Sequence, residues 1–466
     1  MIGGEIHGDA PMTLWKTAAR AAAMMTFAGF ATAAPGDWPE PRQNLRLTGI
    51  QPLAGTLRAA PSCLGSFDLG RSAPSLTAVA GPDGTVGIGL VAGALRCFNA
   101  DGSPRWTCHP PGLNFTALTA AKDLDGDGKA EALLSAGRPG APYGAAALVS
   151  LDDGRLLWRC DVEPMSYAWY LHADRYLPGT AAKQIVVLMQ GYPPDPKNGY
   201  IALFAFDTPG APPVQKWRYD FSEYTCFPTL LKTDLDGDGA KEIAVQTHSR
   251  LWLLDAATGT LKQFCAWDVS PANVRSYGHT AFTDLNRDGR EDFLCIANFA
   301  QHHEVLLNRG GTLEKAWSHG WPESVTTGKV ATVWAEPPQA DVDGDGGLEI
   351  VLSMHNSESE GAWLLRVYDA VTGTLKHRVP GVIAAACADT NGDGTSEILA
   401  NASTDPTGTA LSGARLYALR GGAVELVWED NAAKAVAPLP DAVSSGAPVA
   451  RVERDGGTHE IGRAHV

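Results

Sequence analysis

The sequence predicts an all-β protein, a β-propeller of seven four-stranded antiparallel blades, with an eighth blade left open by residues 437–460. Three observations predict this fold. An acidic loop motif recurs five times along the 466 residues, and a glycine-containing hairpin motif recurs in phase with it. No repeat has an apolar face at helical spacing. A repeat period of roughly 45–60 residues is typical of propellers and other repeat folds.

The acidic motif is built on Asp-x-Asp-Gly-Asp-Gly with an acid at the ninth position. Its copies start at Asp123, Asp234, Asp284, Asp341 and Asp389, and the copies at Asp284 and Asp389 have Asn at the third position. Decayed copies lie at residues 79–90 and 173–188. Each acidic loop is followed by an apolar run, which predicts that the loop joins the first strand of a blade to the second.

The hairpin motif supplies the third and fourth strands of each predicted blade. It consists of an apolar strand, an acidic or glycine-containing turn and a second strand that often holds Trp. LWLLDAATGTL (251–261) and LRVYDAVTGTL (365–375) are two of its seven copies. Apolar runs on both sides of a turn that contains Gly are typical of β-hairpins.

The N-terminal region resembles an export signal, which we place at residues 12–34. Lys16 and Arg20 form its positive region, an apolar stretch follows, and residues 31–33 (Ala-Thr-Ala) form a small-residue cleavage site. Residues 1–11 contain acids that are atypical before a signal, so we interpret them as a non-native or untranslated extension. The alternative is an amphipathic first helix. The expected location is secreted, periplasmic or at the cell surface.

The remaining chain is assigned to one propeller with two flanking segments. The propeller is expected over residues 75–430, and residues 35–74 are expected to supply a ring-closing strand. Residues 431–466 are interpreted as the start of a further, truncated blade. The last seven residues, EIGRAHV, resemble translated sequencing adapter and are interpreted as non-native.

The charge of the chain argues against nucleic acid as a partner. The net charge is −15 and no basic run occurs, whereas phosphate contacts need clustered Lys and Arg. No segment reaches the length of about 20 apolar residues that a membrane-spanning helix requires. We therefore expect neither a nucleic-acid partner nor a membrane span.

The acidic loops have the residue pattern of a site for a hard cation. Acids or Asn at positions 1, 3 and 5, glycine at position 6 and an acid at position 9 bring several oxygens together, which suits Ca²⁺. An EF-hand is excluded because position 12 is apolar and strand-like in every copy. The alternative is an ordinary Asp-Gly turn without an ion. We expect about five structural Ca²⁺ sites.

Eight cysteines are scattered along the sequence without a Cys-x-x-Cys pair. This spacing disfavours a zinc or redox motif. Cys97 and Cys108 flank a turn symmetrically and are the candidates for a cross-strand disulfide. The others are expected to pack as small apolar residues.

At the acidic loops the chain resembles the FG-GAP/VCBS repeat family, whose propeller is that of the integrin α-subunit N-terminal domain. The resemblance covers residues 75–430, although the FG and GAP signatures themselves match poorly. The hairpins also resemble blades of quinoprotein-type propellers, with Asp-x-x-Thr-Gly at Asp255 and Asp369 but no quinone-site signature.

The resemblance implies that the acidic and Asn side chains at positions 1, 3, 5 and 9 are calcium ligands. They are Asp123, Asp125, Asp127 and Glu131; Asp234, Asp236, Asp238 and Glu242; Asp284, Asn286, Asp288 and Asp292; Asp341, Asp343, Asp345 and Glu349; and Asp389, Asn391, Asp393 and Glu397.

Aromatic and His residues concentrate in the connections predicted to lie on the propeller face opposite the calcium loops. They include Tyr167, Trp169, Tyr224, Tyr277, His279, His319, Trp321 and His355. Rings with polar tips suit recognition of a protein or glycan. The alternative is that these side chains pack and cover the face.

Two functions are consistent with the sequence. The first is a non-catalytic, calcium-stabilised adhesion or ligand-binding module. The second is a secreted polysaccharide-active enzyme, because propeller-type rhamnogalacturonan lyases carry similar acidic loops. The resemblance to those lyases is confined to the calcium loops and locates no catalytic residues.

Overall fold

The fold is taken from a computed structural model. It describes residues 78–80, 86–99, 103–138, 141–161, 167–190, 199–221, 229–247, 250–266, 279–296, 302–320, 330–356, 362–403 and 411–431. The expected upstream extension (1–11), signal peptide (12–34), N-terminal segment (35–74) and nearly all of the terminal segment (432–466) lie outside these residues.

The described residues form seven antiparallel sheets of four strands each. Sheet 1 contains β1 (Ala78–Ala80), β2 (Val86–Val91), β3 (Ala94–Asn99) and β4 (Pro104–Cys108). Sheet 2 contains β5 (Asn114–Lys122), β6 (Glu131–Arg138), β7 (Ala141–Ser150) and β8 (Leu156–Asp161). Sheet 3 contains β9 (Tyr167–Asp174), β10 (Gln184–Gln190), β11 (Tyr200–Ala205) and β12 (Val214–Asp220).

The other four sheets repeat this arrangement. Sheet 4 contains β13 (Thr229–Thr233), β14 (Glu242–Gln246), β15 (Arg250–Asp255) and β16 (Leu261–Ala266). Sheet 5 contains β17 (His279–Thr283), β18 (Asp292–Ile296), β19 (His302–Asn308) and β20 (Leu313–Gly320). Sheet 6 contains β21 (Val330–Ala340), β22 (Glu349–Asn356), β23 (Trp363–Asp369) and β24 (Leu375–Pro380). Sheet 7 contains β25 (Val382–Ala388), β26 (Glu397–Ser403), β27 (Leu411–Arg420) and β28 (Ala423–Asp430).

In each sheet the strands are hydrogen-bonded in chain order, as in the blades of a propeller. This confirms the predicted all-β class and four-strand repeat. The described residues divide into two compact units. The first holds those up to Ala173 together with Phe206–Val214, and the second holds Asp174–Ala205 and those from Gln215 onward. No helix in the described ranges is long and apolar enough to cross a membrane.

Burial falls from the second strand of a sheet to the fourth. Every residue of β14 and of β18 is buried, whereas β16 alternates between exposed and partly exposed residues. A strand covered on both faces can be continuously apolar, and one with a solvent-facing side alternates. The runs EIAV and DFLCI therefore form the inner, fully covered strands.

In three sheets, a tryptophan of the fourth strand donates a hydrogen bond to a turn of the following sheet. The indole Nε1 groups donate from Trp106 to Leu151 O, from Trp217 to Ala256 O and from Trp317 to Ala370 O, at 3.2, 2.9 and 2.9 Å. The ring of Trp217 lies directly on Gly259, which has φ +73° and where a Cβ would come within 2.5 Å of the indole. Glycine in these turns therefore allows the ring to approach.

The predicted disulfide between Cys97 and Cys108 is wrong. The ladder pairs Leu95 with Cys108 and Cys97 with Trp106, so the two cysteines do not face each other across the hairpin. They are not joined by a disulfide. Both are buried in the same apolar cluster, between sheets 1 and 2. A bulge after Cys97 changes the strand register that the symmetrical spacing implied.

Candidate metal centres

Each of the five acidic loops joins the first strand of its sheet to the second, as predicted. In the first loop, Gly128 N–H donates to Asp123 Oδ2 at 3.1 Å. Asp127 N–H donates to Asp125 Oδ1 at 2.9 Å, and Lys129 N–H donates to Asp127 Oδ1 at 2.7 Å. These side chains thus fix the turn through backbone hydrogen bonds, and a carboxylate oxygen that accepts one such bond still has a lone pair for a further ligand.

The other four loops repeat this pattern. Backbone N–H groups at position 6 donate to the first carboxylate, at Asp234 (3.3 Å), Asp284 (2.8 Å), Asp341 (3.1 Å) and Asp389 (3.0 Å). The donors at position 6 are glycines with φ between +86° and +92°. Such backbone angles favour glycine, so the motif fixes a single loop shape.

The ninth acid of each loop is buried and binds the backbone at position 2. The five pairs are Leu124 N to Glu131 (2.9 Å), Leu235 N to Glu242 (2.8 Å), Leu285 N to Asp292 (2.9 Å), Val342 N to Glu349 (3.0 Å) and Thr390 N to Glu397 (2.9 Å). These carboxylates are 0–4% exposed. The ninth side chain therefore closes the loop from its buried side.

In three loops, acid oxygens converge closely enough to share a cation. The clusters are Asp123, Asp125 and Asp127; Asp234, Asp236 and Asp238; and Asp341, Asp343 and Glu349. In each cluster one oxygen per residue lies within 4.8 Å of the others. Two ligands of one Ca²⁺ at about 2.4 Å are at most about 4.8 Å apart. The donor sets of these clusters thus fit a hard cation.

The loops at Asp284 and Asp389 have a weaker donor set. In each, the amide of the third residue donates to an acid that the sequence assigned to the metal: Asn286 Nδ2 to Asp288 at 3.0 Å and Asn391 Nδ2 to Glu397 at 2.7 Å. Asp292 also accepts from Asn308 N–H with its second oxygen. These loops can offer Asn oxygens to an ion only if the amides reorient.

The first loop holds two buried acids, Asp125 and Glu131, beside the exposed Asp123 and Asp127. Burial, together with the smaller effect of the charges of Asp125, Asp127 and Asp123, raises the pKa of Glu131 to about 7, although the hydrogen bond from Leu124 N–H lowers it. Asp125 is itself only 3% exposed, and its second oxygen accepts from Gly210 N–H at 2.8 Å. A bound cation would relieve this accumulation of charge.

The loops at Asp234 and Asp341 contain a cation of the chain's own, which sequence reasoning missed. Lys262 donates to Glu242 at 2.5 Å, and Lys376 donates to Glu349 at 2.7 Å. Although burial opposes protonation, the hydrogen bonds to these acids hold the pKa of both lysines above the ordinary value. The shared sequence Asp-Ala-x-Thr-Gly-Thr-Leu-Lys at 255–262 and 369–376 was the available signal.

The predicted ligand-binding face is described for two of its residues. His355 is 3% exposed and packs against Trp363, so it contributes to packing and not to an exposed surface. His319 lies against Trp317 and within 2.6 Å of Gly373 O. Gly373 lies in the turn between β23 and β24. This turn is at the same end of sheet 6 as the acidic loop, because Lys376 contacts Asp343 of the loop and Asp369 of the turn. His319 therefore does not mark an opposite face.

The other proposed face residues are described only in part or not at all. Tyr167, Trp169 and His279 lie in β9 and β17, but their side chains fall outside the described residues. Tyr224, Tyr277 and Trp321 lie wholly outside them.

A repeat-family model matches part of the second compact unit. Residues 284–352, which hold the loops at Asp284 and Asp341, match the family model described as FG-GAP-like repeat. The resemblance predicted from the acidic loops is thereby confirmed: the chain carries FG-GAP-like repeat sequence within a fold of seven four-stranded sheets. A search of curated proteins finds no match.

Solved structures with a similar fold include three different proteins. Saccharomyces cerevisiae Sqt1 is 10% identical, with a TM-score of 0.42 over 80% of this chain and 88% of its own. Rhamnogalacturonan lyase YesW is 14% identical, with a TM-score of 0.41 over 84% and 79%. A europium-containing methanol dehydrogenase is 12% identical, with a TM-score of 0.40 over 85% of each chain.

Proposed function

We propose that the protein is an exported, calcium-binding β-propeller that serves as a non-catalytic adhesion or ligand-binding module. The observation that carries the proposal is the common geometry of the acidic loops. Five loops fix their carboxylates through the same backbone hydrogen bonds, and in three of them the acid oxygens converge within 4.8 Å. Repetition of one arrangement favours a shared ligand over chance clustering of acids.

Calcium suits the loops better than other common ions. The donors are carboxylate and amide oxygens, with neither thiol nor imidazole among the assigned ligands. Ca²⁺ binds a variable number of hard oxygen donors, whereas Mg²⁺ requires near-octahedral coordination. Zinc and copper sites use Cys or His.

The ion has a structural role in this proposal. Each loop sits between the first two strands of a sheet, and the ninth acid begins the buried second strand. An ion held there joins both strands and removes repulsion between neighbouring carboxylates. Since the loop shape exists only in the folded chain, binding stabilises the fold. A rigid scaffold of this kind can present exposed loops to a protein or glycan.

Thermal unfolding tests the calcium part of the proposal. The full chain is melted after EGTA treatment and again with excess Ca²⁺, with Mg²⁺ as the control ion. At a calcium concentration of about 100 Kd, one site adds about 2.7 kcal/mol, so we expect the midpoint to rise by several degrees with Ca²⁺ only. An unchanged midpoint would reject the proposal.

The non-catalytic part is tested separately. Calcium-loaded protein is incubated with pectic polysaccharides, and the absorbance of unsaturated uronate products is followed over time. We expect no product, together with retention on an immobilised glycan or protein array. Formation of unsaturated product in proportion to enzyme concentration would favour the lyase alternative.

A further inference from the structure

Two of the five acidic loops hold a lysine ammonium among the oxygens assigned to the metal. In the Asp234 loop, Lys262 Nζ lies 2.7 Å from Asp236 Oδ2 and 2.5 Å from Glu242 Oε1. In the Asp341 loop, Lys376 Nζ lies 2.8, 3.1 and 2.7 Å from oxygens of Asp343, Asp345 and Glu349. The lysines thus contact acids at positions 3 and 9, and in one loop also at position 5.

The same local structure directs both lysines into their loops. The fourth strand carries a bulge, in which the ladder pairs Leu253 with Gln263 and Leu254 with Leu261 and so leaves Lys262 as the extra residue. In sheet 6 the extra residue is Lys376, between Leu375 and His377. A bulge re-aims the side chain of its extra residue, here toward the acidic loop of the same sheet.

The turn before each bulge is also the same. Asp255 Oδ1 accepts from Thr258 N–H at 2.7 Å, and Asp369 Oδ1 accepts from Thr372 N–H at 2.7 Å. These bonds fix the conformation of the turn between the third strand and the bulge. The lysine is therefore placed by a repeated structural element.

The other three acidic loops have an apolar residue at the bulge. The ladders leave Leu157 as the extra residue in sheet 2, Ala316 in sheet 5 and Val427 in sheet 7. None of these side chains carries a charge. The five loops are thus divided by one structural position, with lysine in two and an apolar residue in three.

We propose that Lys262 and Lys376 act as built-in cations that replace Ca²⁺ in the loops at Asp234 and Asp341. Calcium binding is then left to the loops with an apolar bulge residue. These are the loop at Asp123, whose acid oxygens converge, and the loops at Asp284 and Asp389 once their Asn amides reorient. This inference rests on the proposed calcium function and lowers its expected count from about five ions to about three.

The ammonium and the ion exclude each other because they need the same oxygens. Lys262 already uses one oxygen each of Asp236 and Glu242, and Ca²⁺ needs six to eight oxygens at about 2.3–2.6 Å. An ion at that point would lie beside a positive charge, whereas a tethered lysine has a high effective concentration at its loop. In these two loops the ammonium therefore offsets part of the carboxylate charge without any free ion.

Counting bound ions tests the proposal on the full chain. Calcium stoichiometry is measured by equilibrium dialysis for the wild type, Lys262→Leu, Lys376→Leu and the double variant, with Leu chosen because sheet 2 has Leu157 at the bulge. We expect each substitution to add about one bound ion and the double variant about two. Lys315→Leu, an exposed lysine of β20 outside the bulge, is the control and adds none.

A reciprocal variant tests the proposal even if the lysine-to-leucine variants fail to fold. Leu157→Lys installs the ammonium in the first loop, and we expect it to lose about one ion. Circular dichroism with and without Ca²⁺ monitors folding, and Lys262→Leu protein that folds only with Ca²⁺ supports the proposal. Equal calcium counts in the wild type and all variants overturn the lysine role alone. No calcium bound by any protein overturns the calcium function as well.

Discussion

The Asp234 loop and the decayed loop at residues 174–184 occupy the same place in neighbouring sheets but differ in charge. Glu242, the first residue of β14, accepts from Leu235 N–H at 2.8 Å. Gln184, the first residue of β10, accepts from Tyr176 N–H and Leu177 N–H at 2.7 and 2.8 Å. Both side chains are 1% exposed. The backbone is thus bound in the same way by an acid and by a neutral amide.

This difference separates the requirement of the fold from the requirement of a ligand. A turn between the first two strands needs a buried acceptor at the first residue of the second strand, and a neutral amide provides it. Clustered carboxylates are not needed for that turn, and without a cation they repel each other. Their presence in the acidic loops therefore indicates a balancing positive charge, supplied by lysine in two loops and, in the proposed function, by calcium in the others.

The largest expected effect is loss of the shared acceptor. Gln184→Ala leaves the N–H groups of Tyr176 and Leu177 without their acceptor in a buried site. Each buried unsatisfied group costs about 1–3 kcal/mol, so we expect the free energy of unfolding to fall by about 4 kcal/mol. Urea denaturation followed by fluorescence measures the change.

Exposed Gln215 of β12 provides the matched control. Gln215→Ala is expected to change the unfolding free energy by less than about 0.5 kcal/mol. If Gln184→Ala were equally mild, the common role assigned to the first residue of the second strand would be wrong.

The sequence predicted the loops well because their structure is local. The order strand, acidic loop, strand and hairpin follows from apolar runs and from glycines that must adopt positive φ, as at Gly128 and Gly346. The hydrogen bonds of such a loop involve residues within nine positions of each other. Spacing alone therefore located all five loops between first and second strands.

The sequence did not predict features that depend on strand register or on neighbouring sheets. One bulge shifts the register so that Cys97 does not pair with Cys108. Another makes Lys262 the extra residue, whose side chain contacts the acidic loop. A one-residue change in pairing moves a side chain without any local sequence signal. The burial of His355 against Trp363 depends on packing, which aromatic content alone does not reveal.

A neutral amide in the first loop gives the next largest effect. Glu131→Gln keeps an acceptor for Leu124 N–H and removes a buried charge, which makes the loop resemble the one closed by Gln184. In EGTA we expect equal or higher stability than the wild type. With Ca²⁺ at about 100 Kd we expect a loss of about 2.7 kcal/mol, because the site is lost.

Thermal unfolding of the wild type and Glu131→Gln, each in EGTA and in Ca²⁺, measures whether the stability difference between them changes sign. A variant that is less stable by the same amount with and without Ca²⁺ would show that Glu131 serves the fold and not an ion.

The stability of the calcium-free protein should also depend on pH. The pKa of Glu131 is raised to about 7 in the fold from an ordinary 4.5, so the folded state binds more protons than the unfolded state between these values. Stability from this group is present below pH 4.5 and is lost as the pH rises through 7. We expect a fall on the order of 2 kcal/mol from about pH 5 to about pH 7.

Chemical denaturation in EGTA across this pH range checks the slope. Glu131→Gln should remove this contribution, and Ca²⁺ should reduce it because the ion replaces the proton. An identical slope in wild type and variant would assign the pH dependence to other groups.

The smallest expected effect concerns the one acid that the decayed loop retains. Asp174 forms an ion pair with Lys232, and both side chains are about one-fifth exposed. Asp174→Asn should lower the free energy of unfolding by less than about 1 kcal/mol, as for other partly exposed pairs. The loss should be the same in EGTA and in Ca²⁺, since a lysine and not an ion balances this acid. In contrast, Asp125→Asn should destabilise the protein more in Ca²⁺ than in EGTA. A calcium-dependent effect at Asp174 would mean that the decayed loop still holds an ion and would remove the distinction between the two kinds of loop.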